Sequence, residues 1–499
     1  MAEKNIKKDL SRRGFIKGAV VMGATAAATT VMGTSSAEAA LPPPKKWDKE
    51  TDVVVAGAGG AGLIAALSAA QAGAKVILLE KMPTLGGSAI ISGGLWSVGP
   101  TSTQKEQGIE DSADRIYNDV MKANIADPGS MDPAIARAYA DNCATVYEWL
   151  KGLGVKLKVP KISTMGGVDS VVRMHVMDMP QMIQTLANTA KDKGVQILMK
   201  TAAKRLVVNQ TGRVIGMKAE ANGKPIYVKA KKAVILANGG FDANPQMLSA
   251  WGGSAMGKAI TMGAPGNTGD GLKMAMDVGS DIRLMYQAAI IEALGPADTK
   301  VSMPQLPWEG AILVNKLGKR YTNESLTCVA MGELTVKQPG GIGIIIYDKN
   351  IPQAPSQMKL DRHKKMGGKI HEAQTLDELA KMIAIPTIVE TVKQYNSFVE
   401  TGNDVEFGRT TLAGTVGKPV KIETAPFYAI TVTGGMYFSS AGIKTDEQTH
   451  VQNCYGEAIP GLYAAGQVRG RFVVPFHLGQ AFIFGYLAGK KASAEKPWK

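Results

Sequence analysis

The sequence predicts an α/β protein: a Rossmann-like domain with a parallel sheet, flanking helices and a small antiparallel meander, interrupted in sequence by an inserted α+β domain. Three observations carry that reading. Residues Asp52 to Glu80 run strand, glycine turn, helix, strand and acid in order. Residues 195–240 are strand-like runs broken by turn signals that close on a second buried strand, and Ile459 to Phe482 returns to a strand ended by glycine after a long stretch without that pattern.

Taken in order, the chain begins with Lys4, Lys7 and Lys8, then Ser11-Arg12-Arg13-Gly14-Phe15-Ile16-Lys17, a mildly apolar stretch to Met32, and small residues at Ala37-Glu38-Ala39. This is the layout of a twin-arginine export signal over residues 1–39, which places the mature, already folded protein in the periplasm. The apolar stretch is short and interrupted by Gly and Thr, so the protein is not expected to be integral to a membrane. Leu41 to Lys46, LPPPKK, is a stiff linker.

The first segment of the nucleotide-binding domain is assigned to residues 50–285. Val53 to Ala56 is short, apolar and β-branched, as a buried parallel strand requires. Gly57, Gly59 and Gly62 fit G-x-G-x-x-G, which supplies a tight turn, close approach of a pyrophosphate and close packing of helix on strand. The helix from Leu63 to Ala72 turns its N-terminal amides toward phosphates, and the strand Lys75 to Leu79 ends at Glu80, where an acid takes ribose hydroxyls. A second glycine-rich passage, Gly86 to Gly94, allows backbone to approach a flat ligand.

Residues 102–153 read as helices. Thr211-Gly212 and Asn222-Gly223 punctuate a meander that feeds the buried strand Ala233 to Ala237, and Gly266 to Gly271 is another anion-facing turn before a helix over Leu272 to Val278. Residues 286–431 contain proline-rich loops, a strand GIGIIIY and a helix pair over Leu376 to Tyr395, and form the inserted domain. Residues 432–496 complete the first domain.

Composition narrows the function. With 499 residues, 45% hydrophobic and 20% charged, the chain is globular and long enough for two or three folding units. Its formal charge of +14 comes without basic runs interleaved with aromatics, which argues against nucleic acid as a partner. Cys143, Cys328 and Cys454 are odd in number and far apart, so no disulfide framework is implied. No C-x-x-C-H motif for a c-type haem occurs, and the five histidines lack metal-ligand spacing, so no metal is expected.

The blocks DVVVAGAGGAGLIAALSAAQAGAKVILLEK, LGGSAIISGG, AVILANGGF, NTGDG, GAILVNKLGKRYTNE and IPGLYAAGQV stand in matching order. Over nearly all of the mature chain the sequence resembles the flavoprotein of the fumarate reductase and succinate dehydrogenase family. The branch is that of periplasmic flavocytochrome c fumarate reductases, urocanate and methacrylate reductases and 3-oxosteroid dehydrogenases.

The resemblance implies an FAD-binding domain in two segments with a capping domain between them. Gly57, Gly59, Gly62 and Glu80 would serve the ADP half, Gly87, Ser88 and Gly94 the pyrophosphate and flavin, and Asp270 a cofactor hydroxyl, with Gly60, Lys81 and Gly93 as further cofactor-binding residues. Asn238, Gly239, Gly466, Gln467, Gln480, Ala481 and Phe482 complete the cofactor set, with Gln467 and Asn238 replacing the family's glutamate and threonine. No histidine stands near Ser88, so the FAD is expected to be noncovalent.

The resemblance also shows what is missing. The family's Q-A-H-P-T histidine falls at Ala289, its proton-donating arginine near Pro307, its H-H-T-M-G-G histidine at Tyr437 or Phe438, and its second carboxylate-binding arginine at His477. A dicarboxylate site needs cations for two carboxylates and an acid beside the double bond, so fumarate and succinate are disfavoured. His477, Tyr437 and Tyr286 are the replacement proton donors or carbonyl holders, and Arg471 and Arg469 the residues to clamp one carboxylate or stabilise reduced flavin. Arg173 and His175 are further candidates for the cavity, while Met174, Met177, Met179 and Met182 read as core.

The expected activity is hydride transfer between flavin N5 and an activated C=C bond of a small-molecule substrate, reducing an enone or monocarboxylic enoate as an electron acceptor. A separate cytochrome c or membrane quinol dehydrogenase would be the electron donor. The alternatives are a 3-oxosteroid-type dehydrogenase and a non-catalytic flavin-binding or electron-relay protein.

Overall fold

The computed structural model describes residues 40–125, 132–163, 170–252, 256–283, 288–294, 301–302, 305–326, 328–353, 356–413, 417–439, 441–470 and 477–498. The export-signal reading, Tyr286 and Arg471 lie outside these residues, as does the side chain of Tyr437. Among the described residues no helix is long and apolar enough to cross a membrane.

The strands of the nucleotide-binding domain are, in chain order, β1 (Lys49–Ala56), β2 (Val76–Leu79), β3 (Leu95–Ser97), β4 (Leu157–Ser163), β5 (Met174–Met177), β6 (Gln196–Leu198), β7 (Thr201–Val208), β8 (Val214–Ala221) and β9 (Lys224–Leu236). There follow β10 (Ile260–Thr261), β11 (Ile282–Arg283), β12 (Ala288–Leu294), β13 (Val301–Ser302), β14 (Ile312–Asn315), β15 (Ile342–Asp348), β16 (Ile370–Ala373) and β17 (Phe427–Ser439). The chain returns through β18 (Gly442–Ile443), β19 (His450–Gln452) and β20 (Ala458–Ala464) to a last helix, His477–Ala494.

The main sheet runs β19-β20-β9-β1-β2-β6. From β20 to β6 its neighbours are parallel, with Val53 opposite Val76 and Ala233, and Leu462 opposite Val234. Alternation along β1 sends Val53 and Val55 to one face and Val54 and Ala56 to the other, and each face owns a separate hydrophobic core. Because both faces are covered, all four residues are fully buried.

The helix Gly60–Gln71 shows why the sequence folds so tightly here. A Cβ on Gly62 would overlap the carbonyl oxygen of Gly57, so glycine lets the helix start directly against the strand. Its residues from Gly60 to Ala69 are buried all round, since the sheet lies on one side and the C-terminal helix on the other.

The meander differs from its sequence reading in one respect. The third meander strand and the buried parallel strand are one 13-residue strand, β9. Its first half pairs antiparallel with β8 (Ala221 opposite Lys224), and it also runs parallel to β1 as far as Leu236 opposite Ala56. The alternation of partly exposed and buried residues in its first half becomes an unbroken buried run at its end, so a change of environment looked like two elements. The Asn222-Gly223 turn is as the dipeptide demands, with φ of 49° and 79°.

The capping domain is an antiparallel sheet, β13-β12-β17-β15-β14, with β16 also on β17, and it encloses a third core that includes Ile345, Tyr347, Tyr395 and Ile430. Two features blur its sequence limits. The strand β17 runs continuously from Phe427 through Ser439, and β10, from before the insertion, pairs in parallel with its far end at Gly435 and Met436.

The linker reading of residues 41–46 also needs amendment, because Leu41 pairs with Val207 and exchanges backbone hydrogen bonds with β7.

Candidate active site

The cleft is built where β1, β9 and β20 end. In open α/β sheets ligands bind outside the carboxyl ends of the strands, and here each strand end passes into a glycine-rich turn: Gly57 to Gly60, Asn238 to Gly240, and Ala465 to Gly466. The helix Gly60–Gln71 begins at Gly59 without a side-chain cap, which leaves its first amides for an external acceptor. Glu80, at the end of β2, is 7% exposed and accepts from the Ala58 and Met82 amides, each at 2.7 Å. One oxygen serves each amide, so both retain a lone pair for a hydroxyl donor.

Lys81 donates to Thr268 Oγ1 at 2.6 Å and pairs with Asp270 Oδ2 at 2.7 Å. The two predicted cofactor residues therefore hold each other across the cleft. Ser88 Oγ accepts from Asn267 Nδ2 at 2.9 Å. Asn267 also contacts Asp242 and Gln467, and Gln467 Nε2 donates to Asp242 Oδ1 at 2.8 Å. At the end of β9, Asn238 Oδ1 is a buried acceptor with no described hydrogen-bond donor. Such an atom calls for a partner that the chain does not supply.

The same cleft includes Gly87 at the start of the short helix Gly87–Ile91, Gly239 after β9, and Gly466, where an added Cβ would overlap Ala61 and come within van der Waals contact of Ala481. Gly94 is tied into the wall, its carbonyl accepting from the Met177 amide, and Gly93 lies beside it, where an added Cβ would be in ordinary contact with the Leu95 side chain. Gln480 is buried and donates to the Gly470 carbonyl at 3.3 Å, which anchors the 466–470 turn to the last helix.

Phe482, read as a cofactor residue, presents no exposed ring to the cleft. Its ring is fully buried, edge-on to Trp96 at 5.1 Å between centroids, and lies close under Gly60. It supports the helix start through packing.

Of the five candidate catalytic residues, His477 and Arg469 have described side chains. His477 opens the C-terminal helix, half-buried, with its ring 4.3 Å from that of Phe438 and its Nε2 shielded from solvent. The backbone of Tyr437 is in β17 immediately before Phe438. Arg469 is buried. Its guanidinium donates to Thr445 Oγ1 at 2.8 Å and stacks 3.8 Å above the Phe484 ring. Burial, with a contribution from Arg283, pushes it down to about 9.

Arg173 and His175 do not line a cavity. Arg173 is wholly buried between Asp111, bidentate at 2.8 and 2.9 Å, and Asp119 at 2.5 Å. His175 bonds to Thr101 Oγ1 and the Arg173 carbonyl, and burial pushes it down to about 4, so it is a neutral core imidazole. Met174, Met177, Met179 and Met182 are core.

The sequence reading did not single out Asp242, Asn267 or Ser439. Asn267 stands inside the quoted turn Gly266 to Gly271 and Asp242 directly follows the quoted block AVILANGGF, and a short polar residue in or beside a cofactor-facing turn was the available signal. Ser439, whose Oγ accepts from the Phe241 amide at 2.9 Å, sits at the far end of β17 and had no local signal.

An uncapped helix start for phosphates, an acid with spare lone pairs for a ribose, and an orphaned acceptor beyond it suit a bound dinucleotide. Fold and cleft together define a dinucleotide-binding protein. The sequence matches the family described as FAD binding domain over residues 52–481. It is 32% identical over 454 residues to a fumarate reductase (cytochrome) of Shewanella frigidimarina, covering 89% of this chain and 77% of that one. It is 29% identical over 467 residues to a urocanate reductase of Eggerthella lenta, covering 89% and 75%. The open conformation of a flavocytochrome c3 fumarate reductase superposes with a TM-score of 0.78 at 26% identity, covering 98% of this chain and 82% of the other. The chain belongs to the FAD-binding flavoprotein family that contains the fumarate reductases.

Proposed function

We propose that the chain is a periplasmic FAD-dependent reductase of an activated C=C bond in an enone or monocarboxylic enoate, and that fumarate is not its substrate. The observation that carries the reading is the contact of His477 with Phe438. One imidazole against an aromatic ring suits a substrate with a single polar end and a flat apolar body, whereas a dicarboxylate demands two cationic ends. The urocanate reductase relative supports this class, since urocanate joins an aromatic ring to one enoate.

The residues proposed to hold noncovalent FAD are Glu80, Lys81, Ser88, Asn238, Asp270 and Gln467, with the backbone of Gly57, Gly59, Gly60, Gly62, Gly87, Gly239 and Gly466. Bound FAD supplies hydride chemistry at N5. The protein's share is to orient the double bond and move a proton. His477 is the proposed proton donor, because it opens the C-terminal helix against Phe438 and an imidazole can carry a proton to a neighbouring carbon. Tyr437, Tyr286 and Arg471 are proposed as auxiliary donors or carboxylate contacts. Arg469 is proposed as a fixed positive charge behind the site, since Thr445 and Phe484 already hold its guanidinium. The capping domain, taken as residues 286–431, would exclude water, and electrons would come from a separate cytochrome c or membrane quinol dehydrogenase.

The test is anaerobic reoxidation of the reduced holoprotein by fumarate, urocanate, methacrylate, cinnamates and enones. Aryl enoates or enones should reoxidise the flavin and fumarate should not. Rapid turnover of fumarate, or flavin reduction by a steroid ketone with no reoxidation by any acceptor, overturns the reading. His477→Ala should lower turnover at least a hundredfold while FAD absorbance is retained.

A further inference from the structure

Asp242 lies at the centre of the cleft's polar cluster. It is 1% exposed, and its described side-chain partners are the neutral carboxamides of Gln467, at 2.8 Å to Oδ1, and Asn267, at 3.1 Å to each oxygen. Asn267 Nδ2 reaches Ser88 Oγ and Gln467 Oε1 as well, so its two hydrogens are divided among more acceptors than they can serve at once. Backbone walls in the cluster: a Cβ on Gly263 would overlap Asp242 Oδ2, and one on Gly240 would overlap Ser439 Oγ.

Among the described residues no cation pairs with the carboxylate. On the surrounding elements, Lys81 and Asp270 are joined to each other beyond Thr268, and Arg469 donates to Thr445. Burial therefore pushes Asp242 up to about 6, although the hydrogen bonds from Asn267, its own amide and Gln467 oppose the rise.

We propose that Asp242 is a positioning residue for the flavin: it fixes the carboxamides of Asn267 and Gln467, and through Asn267 the Ser88 hydroxyl, and its buried carboxyl couples the flavin's reduction potential to pH. The inference rests on the reading that Ser88 and Gln467 face FAD. A buried carboxylate opposes the addition of negative charge nearby, whereas a carboxylic acid does not. Reduction at a pH between the pKa of Asp242 beside oxidised flavin and its higher value beside reduced flavin therefore draws a proton from solvent onto this carboxylate, and outside that window it does not.

The test is potentiometric titration of the holoprotein with dithionite as reductant and buffer as the proton source, from pH 5 to 8. The wild-type potential should show a break near pH 6. Asp242→Asn should lie above wild type at pH 8 and join it at pH 5, with FAD content unchanged by absorbance. Should that variant lose FAD, Gln467→Glu serves instead: it places a second carboxyl beside Asp242, one of the two must stay protonated, and the break moves up by at least about one pH unit. A flavin-loaded Asp242→Asn that follows the wild-type curve throughout, or an unmoved break in Gln467→Glu, overturns the proposal. A wild type that binds no FAD overturns the cofactor assignment and this inference with it, whereas failure to reduce any enoate leaves the potential curves as the deciding result.

Discussion

Single residues in this protein separate into those that hold the fold and those that face the cleft, and Arg173 and Glu80 exemplify the two kinds. Replacing Arg173 with Leu leaves Asp111 and Asp119 buried without their cation, which should cost about 3–5 kcal/mol in urea unfolding at pH 7. Burial alone would raise the Asp111 carboxyl, but the Arg173 bonds override it and hold the group below the usual aspartate range. A depressed folded value contributes stability above the unfolded pKa and loses it as pH falls through the folded one. The wild type should therefore lose this contribution in acid, and the gap between wild type and Arg173→Leu should shrink as pH falls below about 4. Glu80 acts on the ligand side, because its carboxylate fixes the Ala58 amide in the glycine turn. Glu80→Ala should raise the FAD dissociation constant about tenfold to a hundredfold, read by flavin fluorescence quenching, with much less effect on apoprotein stability.

At the scale of elements, the helix pair behind the cleft depends on small residues. Gly485 and Gly489 in the C-terminal helix bring it against Ala61, Ala65 and Ser68, and a Cβ on either would overlap that backbone or the Ser68 hydroxyl. Gly489→Val should destabilise the protein by about 3 kcal/mol and release FAD, checked by thermal unfolding and flavin content. The elements were legible in the sequence where a local pattern had one cause. The β-branched run at Val53, the G-x-G-x-x-G spacing and the Asn222-Gly223 turn each satisfy a short-range steric demand, and their elements formed as read. Legibility failed where the cause lay far away in the chain. The unity of β9 depends on β1 and β8, the burial of Arg469 on Phe484, and the confinement of Arg173 on Asp111 and Asp119, none of which local periodicity encodes. The proposed substrate side was the least readable, since the residues proposed for it come from β17, the last helix and turns at separate positions in sequence.

The whole molecule is held together by contacts between distant parts of the chain. The strand β1 from the first segment and β20 from the last are both hydrogen-bonded to β9, and the C-terminal helix covers Gly60–Gln71, so the cleft is complete only when both ends of the domain are in place. The capping domain has its own core, distinct from the two that flank the main sheet. FAD should therefore stabilise the protein unevenly. At a hundredfold excess over its dissociation constant, free FAD adds about 2.7 kcal/mol to the unfolding free energy of whatever unit requires it. In hydrogen exchange, adding FAD to the apoprotein should slow peptides containing 53–62, 86–94, 236–242 and 464–470. Peptides of β15 and of the helix Ile388–Thr401, which lie within the separate third core, should keep their apoprotein rates. Equal protection of both sets would mean that the capping domain folds only with the cofactor site, and that three separate cores behave as one cooperative unit.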